Sequence, residues 1–364
     1  MPNTLLTPRI IANEALMVLE SQLTMAGLVH RDYSKEFAKV GDTVTIRKPA
    51  KFVAKNFTGE TSVQDITEGS VDVKLDRFRD VTVAVSSKEL TLNIKDFSNQ
   101  IVAPALNSIA QAIDQDCLAV GISKAGKKVA VSSTPVINDL AGVGKALDMS
   151  KAPRTDRRLV MPPAILYKYN TIDNIAKQSY KGDSQALKDS EIGRVYTCDT
   201  FMSQNCPENQ SETPGTVKSY KVKGTKGATE FTVSGGTAAS GTIKKGDQLI
   251  VGGYLYTATE DLTLSSGEGT LKVDQNIPNT IEEPVDAMPI NKAHALGFHR
   301  NGIALVTRAL EIPLGASNAY IASANGLAVR VVFGYDQKTK TDLISFDVLY
   351  GVKELESDLL VDFS

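Results

Sequence analysis

Phe298-His299-Arg300-Asn301-Gly302-Ile303-Ala304-Leu305-Val306-Thr307-Arg308 opens the part of this chain that decides its fold. Gly326-Leu327-Ala328-Val329-Arg330-Val331-Val332-Phe333-Gly334-Tyr335-Asp336 and Leu343-Ile344-Ser345-Phe346-Asp347-Val348-Leu349-Tyr350-Gly351-Val352-Lys353 follow it. The first stretch reads as a helix-like opener. The other two are rich in Val, Ile, Phe and Tyr and read as β-strands. The C-terminal part, 328–364, is therefore expected to close the fold on strands.

Upstream lies a segment of different composition. Between Gln204 and Ile290 stand 11 of the 27 glycines, in under a quarter of the 364 residues. Short alternating runs recur there: Tyr220 with Val222, Phe231 with Val233, Leu249 to Val251, Tyr254 to Tyr256, Leu262 with Leu264, and Leu271 with Val273. Turn signals separate them, among them Gly235-Gly236, Lys245-Gly246-Asp247 and Gly252-Gly253. About six short strands at this spacing predict a small all-β barrel or sandwich. Pro207 and Pro214 mark its entry, and Pro284 and Pro289 its exit, into flanks of mixed pattern. A compact all-β unit between two halves of another pattern reads as an inserted domain.

Those flanks carry helices and strands in alternation. Ile101, Ala105, Ile109, Ala112, Ile113, Asp116, Cys117 and Val120 trace one mostly apolar stripe of a long helix, capped by Asp96 or Ser98 and running to about Ala125. Pro104 either sits in its first turn or bends it. A second helix is expected over 135–150, a strand over Arg158–Met161 that ends at Pro162-Pro163, a helix from Ala164 to Tyr169, and a strand at Gly193–Cys198. Nearer the N-terminus, residues 8–28 have helical spacing. Asp42–Pro49 alternates as a strand; alternation resumes at Val71, Val73 and Leu75, breaks at Arg77, Phe78 and Arg79, and returns at Val81. Two β runs joined by about twenty polar residues predict a projecting hairpin, which has little core of its own and needs a neighbour to lie on.

Composition narrows the function. Hydrophobic residues make up 42% and charged residues 23%, with a formal net charge of -2, which disfavours gripping DNA phosphates as a main activity. Three cysteines, Cys117, Cys198 and Cys206, do not make a disulfide framework. No signal peptide or membrane span is expected. Catalytic patterns fail one by one. Gly142-Val143-Gly144-Lys145-Ala146 lacks both the leading glycine and the Ser or Thr of a phosphate loop. His294 and His299 stand five apart without HExxH spacing or nearby cysteines. Asp114 and Asp116 read as a solvated or ion-paired patch. No metal, cofactor or catalytic residue is expected. The basic cluster Arg154, Arg157 and Arg158 suits either a partner copy or an intrachain partner, Asp148 or Asp156.

The order of parts is helical arm, long hairpin, long helix, mixed domain, inserted β unit and closing strands. This order, with Ile243-Lys244-Lys245-Gly246-Asp247-Gln248-Leu249-Ile250-Val251-Gly252-Gly253 in the insert, resembles the major capsid proteins of tailed bacteriophages of the P22 coat type. The resemblance covers essentially the whole chain. It implies an α+β HK97-type capsid fold: N-terminal arm over 1–40, E-loop hairpin with its adjoining strand over 41–86, spine helix and peripheral domain over 87–160, axial domain over 161–203 and 291–327, inserted β-barrel (I-domain-like) over 204–290, and closing strands over 328–364. It implies a structural protein, not an enzyme, that self-assembles as pentamers and hexamers of an icosahedral head. Its partners would be a scaffolding protein, a portal protein, a candidate decoration protein and packaged double-stranded DNA touched non-specifically, with assembly in the bacterial host cytoplasm and no membrane. The shell would expand on DNA packaging. Candidate subunit contacts are Arg47, Lys51, Phe52, Lys55, Phe57, Arg77, Arg79, Arg154, Arg157 and Arg158, with Pro104 a candidate bend in the spine helix. Lys51 and Lys55 lie in the loop where some proteins of this fold form Lys–Asn crosslinks, but no crosslink is expected here. Two rivals are weighed: another virion component (tail or decoration), which should lack the long helix, and a hydrolase with a β accessory domain, which requires a convergent polar site.

Overall fold

The computed structural model describes residues 8–31, 43–47, 56, 69–86, 101–176, 192–209, 211, 215–217, 219–234, 241–264, 268–313, 318–324, 327–338 and 341–364. In chain order the helices are α1 (Pro8–Gln22), α2 (Met25–Leu28), α3 (Ala103–Ser123), α4 (Ile137–Met149), α5 (Pro163–Asn170) and α6 (Asp173–Ala176). The strands are β1 (Thr43–Arg47), β2 (Ser70–Lys74), β3 (Arg77–Ser86), β4 (Lys127–Val129), β5 (Arg157–Met161), β6 (Arg194–Val195), β7 (Cys198–Met202), β8 (Tyr220–Gly224), β9 (Glu230–Ser234), β10 (Gly241–Ile243), β11 (Gln248–Val251), β12 (Tyr254–Thr257), β13 (Leu262–Leu264), β14 (Glu268–Lys272), β15 (Ile281–Ile290), β16 (Ala295–His299), β17 (Ile303–Arg308), β18 (Asn318–Ala324), β19 (Leu327–Asp336), β20 (Thr341–Glu354) and β21 (Leu360–Phe363). The chain folds as two units. One comprises Met1–Leu16, Arg31–Val102 and Ala304–Leu355; the other comprises Met17–His30, Ala103–Ile303 and Glu356–Ser364.

The first unit is built on a five-stranded sheet in which β20 joins β17, β19 and β3, with β18 outside β19. β3 pairs with β20 from Ser86↔Thr341 to Arg77↔Tyr350. The hairpin expected from the alternation is present as β1 and β2, paired from Thr43↔Lys74 to Arg47↔Ser70. The break expected at Arg77 to Arg79 is not a break. β2 ends at Lys74 and β3 starts at Arg77, where the chain leaves the hairpin for the larger sheet. Val44, Ile46, Val73 and Leu75 share a small core with Ala304, Val306 and Leu355. Gly351 is required there, because a Cβ would run into the Lys74 carbonyl.

The second unit has a mixed six-stranded sheet of order β4-β21-β16-β5-β7-β6, parallel at β4–β21 and β5–β7 and antiparallel elsewhere. β16 and β21 are buried at every position. The glycines show what covers them. A Cβ on Gly121 of α3 would strike Leu296 of β16, and one on Gly297, next along β16, would strike Val143 of α4. Adjacent strand residues point to opposite faces, so α3 and α4 sandwich this sheet. The side of α4 is one core with Leu140, Val143, Leu147, Leu159, Met161, Tyr169 and Phe363, the rings of Tyr169 and Phe363 lying 5.7 Å apart. Asp139 fastens the start of α4 by accepting from Val136 N–H and the Ser132 hydroxyl, and it takes the Tyr169 hydroxyl at 2.9 Å. Pro163 opens α5 as its spacing predicts.

Several expectations change in this unit. The opener 298–308 is not helical: β16 and β17 meet at a 3-10 turn, Arg300–Gly302, where His299 accepts from Asn301 N–H. A continuous apolar run buried on both faces has no period to tell strand from helix. α3 keeps the expected stripe over its first part, where Ala105, Ile109 and Ile113 are buried and Pro104, Ser108 and Gln111 exposed, but every residue from Asp116 to Ile122 is buried. A helix hydrophobic all round lies inside its protein. Pro104 is its second residue and exposed, in the first turn. The strand expected at 193–198 is two strands around Tyr196 and Thr197, both at positive φ (44° and 74°). The proposed cap at Asp96 or Ser98 and the polar segment 181–188 lie outside the described residues.

Residues 220–290 hold strands and turns alone among those described, with eight strands where about six were expected. Six form a sheet of order β12-β11-β15-β8-β9-β14; β10 pairs with β13 separately. The two outer strands meet. A bridge joins Ala258 to Val273, with Thr259 N–H on Lys272 C=O and Asp274 N–H on Thr257 C=O, so the sheet closes on itself as a barrel. Inward residues alternate as period two demands (Tyr220, Val222; Phe231, Val233) and pack with Leu249, Tyr256, Leu264 and Leu271. Phe231 meets Tyr256 edge-on at 5.0 Å. The Lys-Gly-Asp turn has a clear role: Asp247 accepts from Lys244 N–H (2.7 Å), Gly215 N–H (2.9 Å) and Asn209 Nδ2 (3.1 Å), tying the entering chain to the turn.

Candidate functional site

The polar groups expected to carry function fall into an interior set and an exposed set. Arg157 belongs to the interior. Its side chain is fully buried and spends its donors on Asp148 (2.7 Å), Ala152 C=O (2.6 Å), Pro153 C=O (2.7 Å) and Thr197 Oγ1 (3.0 Å). It therefore holds the left-handed Tyr196–Thr197 turn and cannot serve as a subunit contact. A buried guanidinium needs every fork filled, and this chain fills it internally. Arg154 shares Asp148 from outside at 3.5 Å and stays exposed. The Arg157 guanidinium holds the Asp148 carboxyl below its ordinary range. Arg158 reaches the Leu28 carbonyl and lies 3.9 Å from Asp156; burial pulls its pKa down. Around this network, Ala141, Lys145, Met149, Arg154 and Tyr196 line an open cleft of about 550 Å³.

Of the hairpin candidates, Arg47 ends β1, and Lys51, Phe52, Lys55 and Phe57 lie outside the described residues. Arg77, expected at a contact, is 5% exposed and turned into the sheet's buried side. Arg79 is half-buried, with Nε 3.4 Å from the Tyr350 hydroxyl. The opposite face of that sheet is exposed along β3 and largely covered along β20, where Asp347 is 4% exposed and Leu349 packs on the hairpin's core. Along β3, Phe78, Asp80, Thr82 and Ala84 are exposed, while Arg77 is buried and Arg79, Val81 and Val83 are half-buried. Residues directly opposite in an antiparallel pair share a face, so Leu349, Asp347, Ser345 and Leu343 join them. A polar ladder crosses this face: Thr82 Oγ1 donates to Ser345 Oγ (3.1 Å), Ser345 Oγ to Asp347 (2.8 Å), and Arg330 binds Asp347 through Nε (2.9 Å) and Nη2 (2.5 Å) and donates to Glu311 C=O (2.7 Å). Phe78 is 50% exposed beside it. The sequence named the arginines as contacts by charge; it did not single out Phe78.

Among the described residues nothing in the interior assembles into a catalytic centre, and no group of three or more His, Cys, Asp or Glu is arranged to hold a metal ion. His294 precedes β16 and His299 is its last residue; His294 Nδ1 sits 2.8 Å from buried Asp362. Gly142 to Ala146 lies within α4. Cys117, Cys198 and Cys206 are buried and form no disulfide; burial pushes the Cys198 thiol up to about 11. Asp114 and Asp116, expected on the surface, are buried. Among the described residues no helix is long and apolar enough to cross a membrane.

No protein-family model matches the chain, and no curated protein matches it by sequence. Solved structures do match. One from Mycobacterium phage Che8 superposes with TM-score 0.54 at 15% identity, covering 94% of this chain and 91% of that one. The capsid structure of Cyanophage P-SCSP1u matches at 0.51 and 11%, covering 89% and 83%. The mature capsid of bacteriophage PhiM1 matches at 0.51 and 9%, covering 89% and 82%. At such identities the likeness speaks to fold. This mixed α+β chain, nearly from end to end, has the fold of HK97-type phage capsid proteins.

Proposed function

We propose that this protein is the major capsid protein of a tailed double-stranded DNA phage and acts structurally, not as an enzyme. The observation that carries this is the coverage: capsid chains match this one over most of both lengths, so the shared fold spans most of this chain and is not a small common module. The molecule's own shape of exposure supports it. A hairpin with a core of few side chains and a half-apolar sheet face exposed along β3 are features that a neighbour would complete.

In this reading copies form pentamers and hexamers of an icosahedral head, assembled in the host cytoplasm around a scaffolding protein, with a portal protein and a candidate decoration protein. Packaged DNA is touched non-specifically, and the shell expands as it enters. The barrel at 220–290 corresponds to the inserted I-domain of P22-type coats; its closed sheet and Asp247-tied entry favour that assignment. Arg47, Lys51, Phe52, Lys55, Phe57, Arg79, Arg154 and Phe78 are the proposed contact residues, and α3 is the spine whose tilt changes on expansion, with Pro104 at its outer turn.

Negative-stain electron microscopy of the chain, expressed alone and then with its scaffolding protein, tests this. Closed shells of uniform size, or sheets of hexamer-like units, are expected. Monomers or small oligomers under both conditions would overturn it.

A further inference from the structure

Two surface features of this chain, one on each unit, have complementary chemistry. The first is the cleft beside α4. Ala141, Gly144, Lys145 and Asp148 stand at helical spacing and form one wall. The Tyr196–Thr197 turn is the other wall. It meets the helix at Gly144, where a Cβ would come within 3.0 Å of the Tyr196 carbonyl. The turn is left-handed, at φ 44° and 74°, and buried Arg157 holds it through Thr197 Oγ1, so the cleft is pre-formed. Its lining is both apolar and basic. Met149 is 70% exposed and Tyr196 48%. Lys145 and Arg154 are exposed as well, while the Asp148 carboxylate is already answered by Arg157 at 2.7 Å. Positive charge is left over at the cleft.

The second feature is the start of β3. Phe78 is 50% exposed; Asp76 and Asp80, two positions to either side, are exposed too, whereas Leu75 and Arg77 are buried. Phe78 and Asp80 share a face because the strand alternates with period two. The chain thus presents an aromatic ring outward between two carboxylates.

We infer that these features are the two halves of one contact between copies: Phe78 of one chain enters the cleft of the next, and Asp76 and Asp80 meet Lys145 and Arg154. The inference deepens the shell reading and rests on it for the choice of a second copy as partner. Apolar area and charge match on both sides. The ring gains the Met149 sulfur and the Tyr196 ring as neighbours, both favourable to an aromatic side chain. The cleft, at about 550 Å³, has room for a phenyl ring and the strand backbone that carries it. The buried ring supplies most of the energy, and the carboxylates steer the approach and set the direction in which the strand lies. The halves lie on different units of one chain, so the contact is heterologous. Each copy that docks its β3 leaves its own cleft for another. Such a contact builds a ring where the rotation closes, as a pentamer or hexamer requires.

Photo-crosslinking of the full chain, with its scaffolding protein, tests this. Phe78 is replaced by p-benzoylphenylalanine, which keeps an aromatic group at the position and bonds under ultraviolet light to side chains it touches. Chains linked to one another are expected on a denaturing gel, with the bond mapped by mass spectrometry to the peptide of Met149 or of Tyr196. Lys145→Glu with Arg154→Glu should lower the linked fraction roughly tenfold at low salt, and adding Asp76→Lys with Asp80→Lys should restore it. Particles that assemble but link elsewhere, or not at all, would overturn the contact and leave the shell reading standing. A bond within one chain, or a linked fraction indifferent to the charge reversals, would also overturn the contact. A chain that stays monomeric would overturn both readings together. The crosslink on the otherwise native chain needs no charge variant, so a reversal that fails to fold leaves the test decisive.

Discussion

The barrel at 220–290 and the five-stranded sheet of the first unit solve the same problem in opposite ways. Both are sheets with a hydrophobic side. In the barrel, β12 and β14 meet through the Ala258–Val273 bridge, so the apolar side faces inward and no long edge is left. In the five-stranded sheet one side is lined by the buried Val329, Val331, Phe346 and Val348, and the other is exposed along β3, with Phe78 50% exposed and a polar ladder from Thr82 to Arg330 across it. The barrel is complete in one chain. The five-stranded sheet has surface left for a neighbour along β3, and the ladder gives that surface a fixed pattern instead of a plain greasy patch.

Mutations sharpen this contrast. Phe231→Ala empties the barrel's centre and should cost about 3–5 kcal/mol, read as a lower denaturant midpoint for the barrel; a loss under about 1 kcal/mol would mean the barrel is loosely packed. Arg330→Leu strips Asp347 of its guanidinium and frees the Glu311 carbonyl. It should destabilise the first unit by about 1.5–3 kcal/mol, and thermal unfolding checks it. Gly351→Ala pushes a Cβ into the Lys74 carbonyl and should cost about 1–3 kcal/mol, with faster amide exchange along β2. Phe78→Ser should change the stability of the isolated chain by no more than about 0.5 kcal/mol, yet reduce the yield of assembled particles. Unaltered assembly would remove the exposed face of β3 from the contact surface.

Much of the fold was legible because it is written in local periodicity. The period-two runs of the insert, the hairpin partners 43–47 and 70–74, Pro163 at the start of α5 and the prolines ending β5 all follow from spacing and backbone chemistry. The misreadings share one cause, which is burial on more than one side. The run 298–308 has no period because its strands are buried on both faces, so it passed for a helix. Asp114 and Asp116 passed for surface residues because a carboxylate usually is one; only the fold brings the free N–H groups of residues 24–26 to Asp114. For Arg157 the sequence left open a partner copy or an intrachain acid, and the structure shows the Asp148 pairing; the other acceptors, two carbonyls and a hydroxyl up to 40 residues away, were not legible. Phe78 lies in a strand whose alternation says that one face is buried but not whether the other is covered.

By itself the sequence determined the classes of element, the run of short strands over 220–290, the lack of a recognisable catalytic pattern and the resemblance to phage coat proteins, because these rest on composition and on neighbours within a few residues. Only the tertiary structure decided which polar groups are inside, how the barrel closes, where β3 goes after the hairpin, and which sheet face is left exposed along β3. Those are outcomes of contacts between residues far apart in the chain, such as Asp114 with Thr24 across 90 positions, and no local period encodes them.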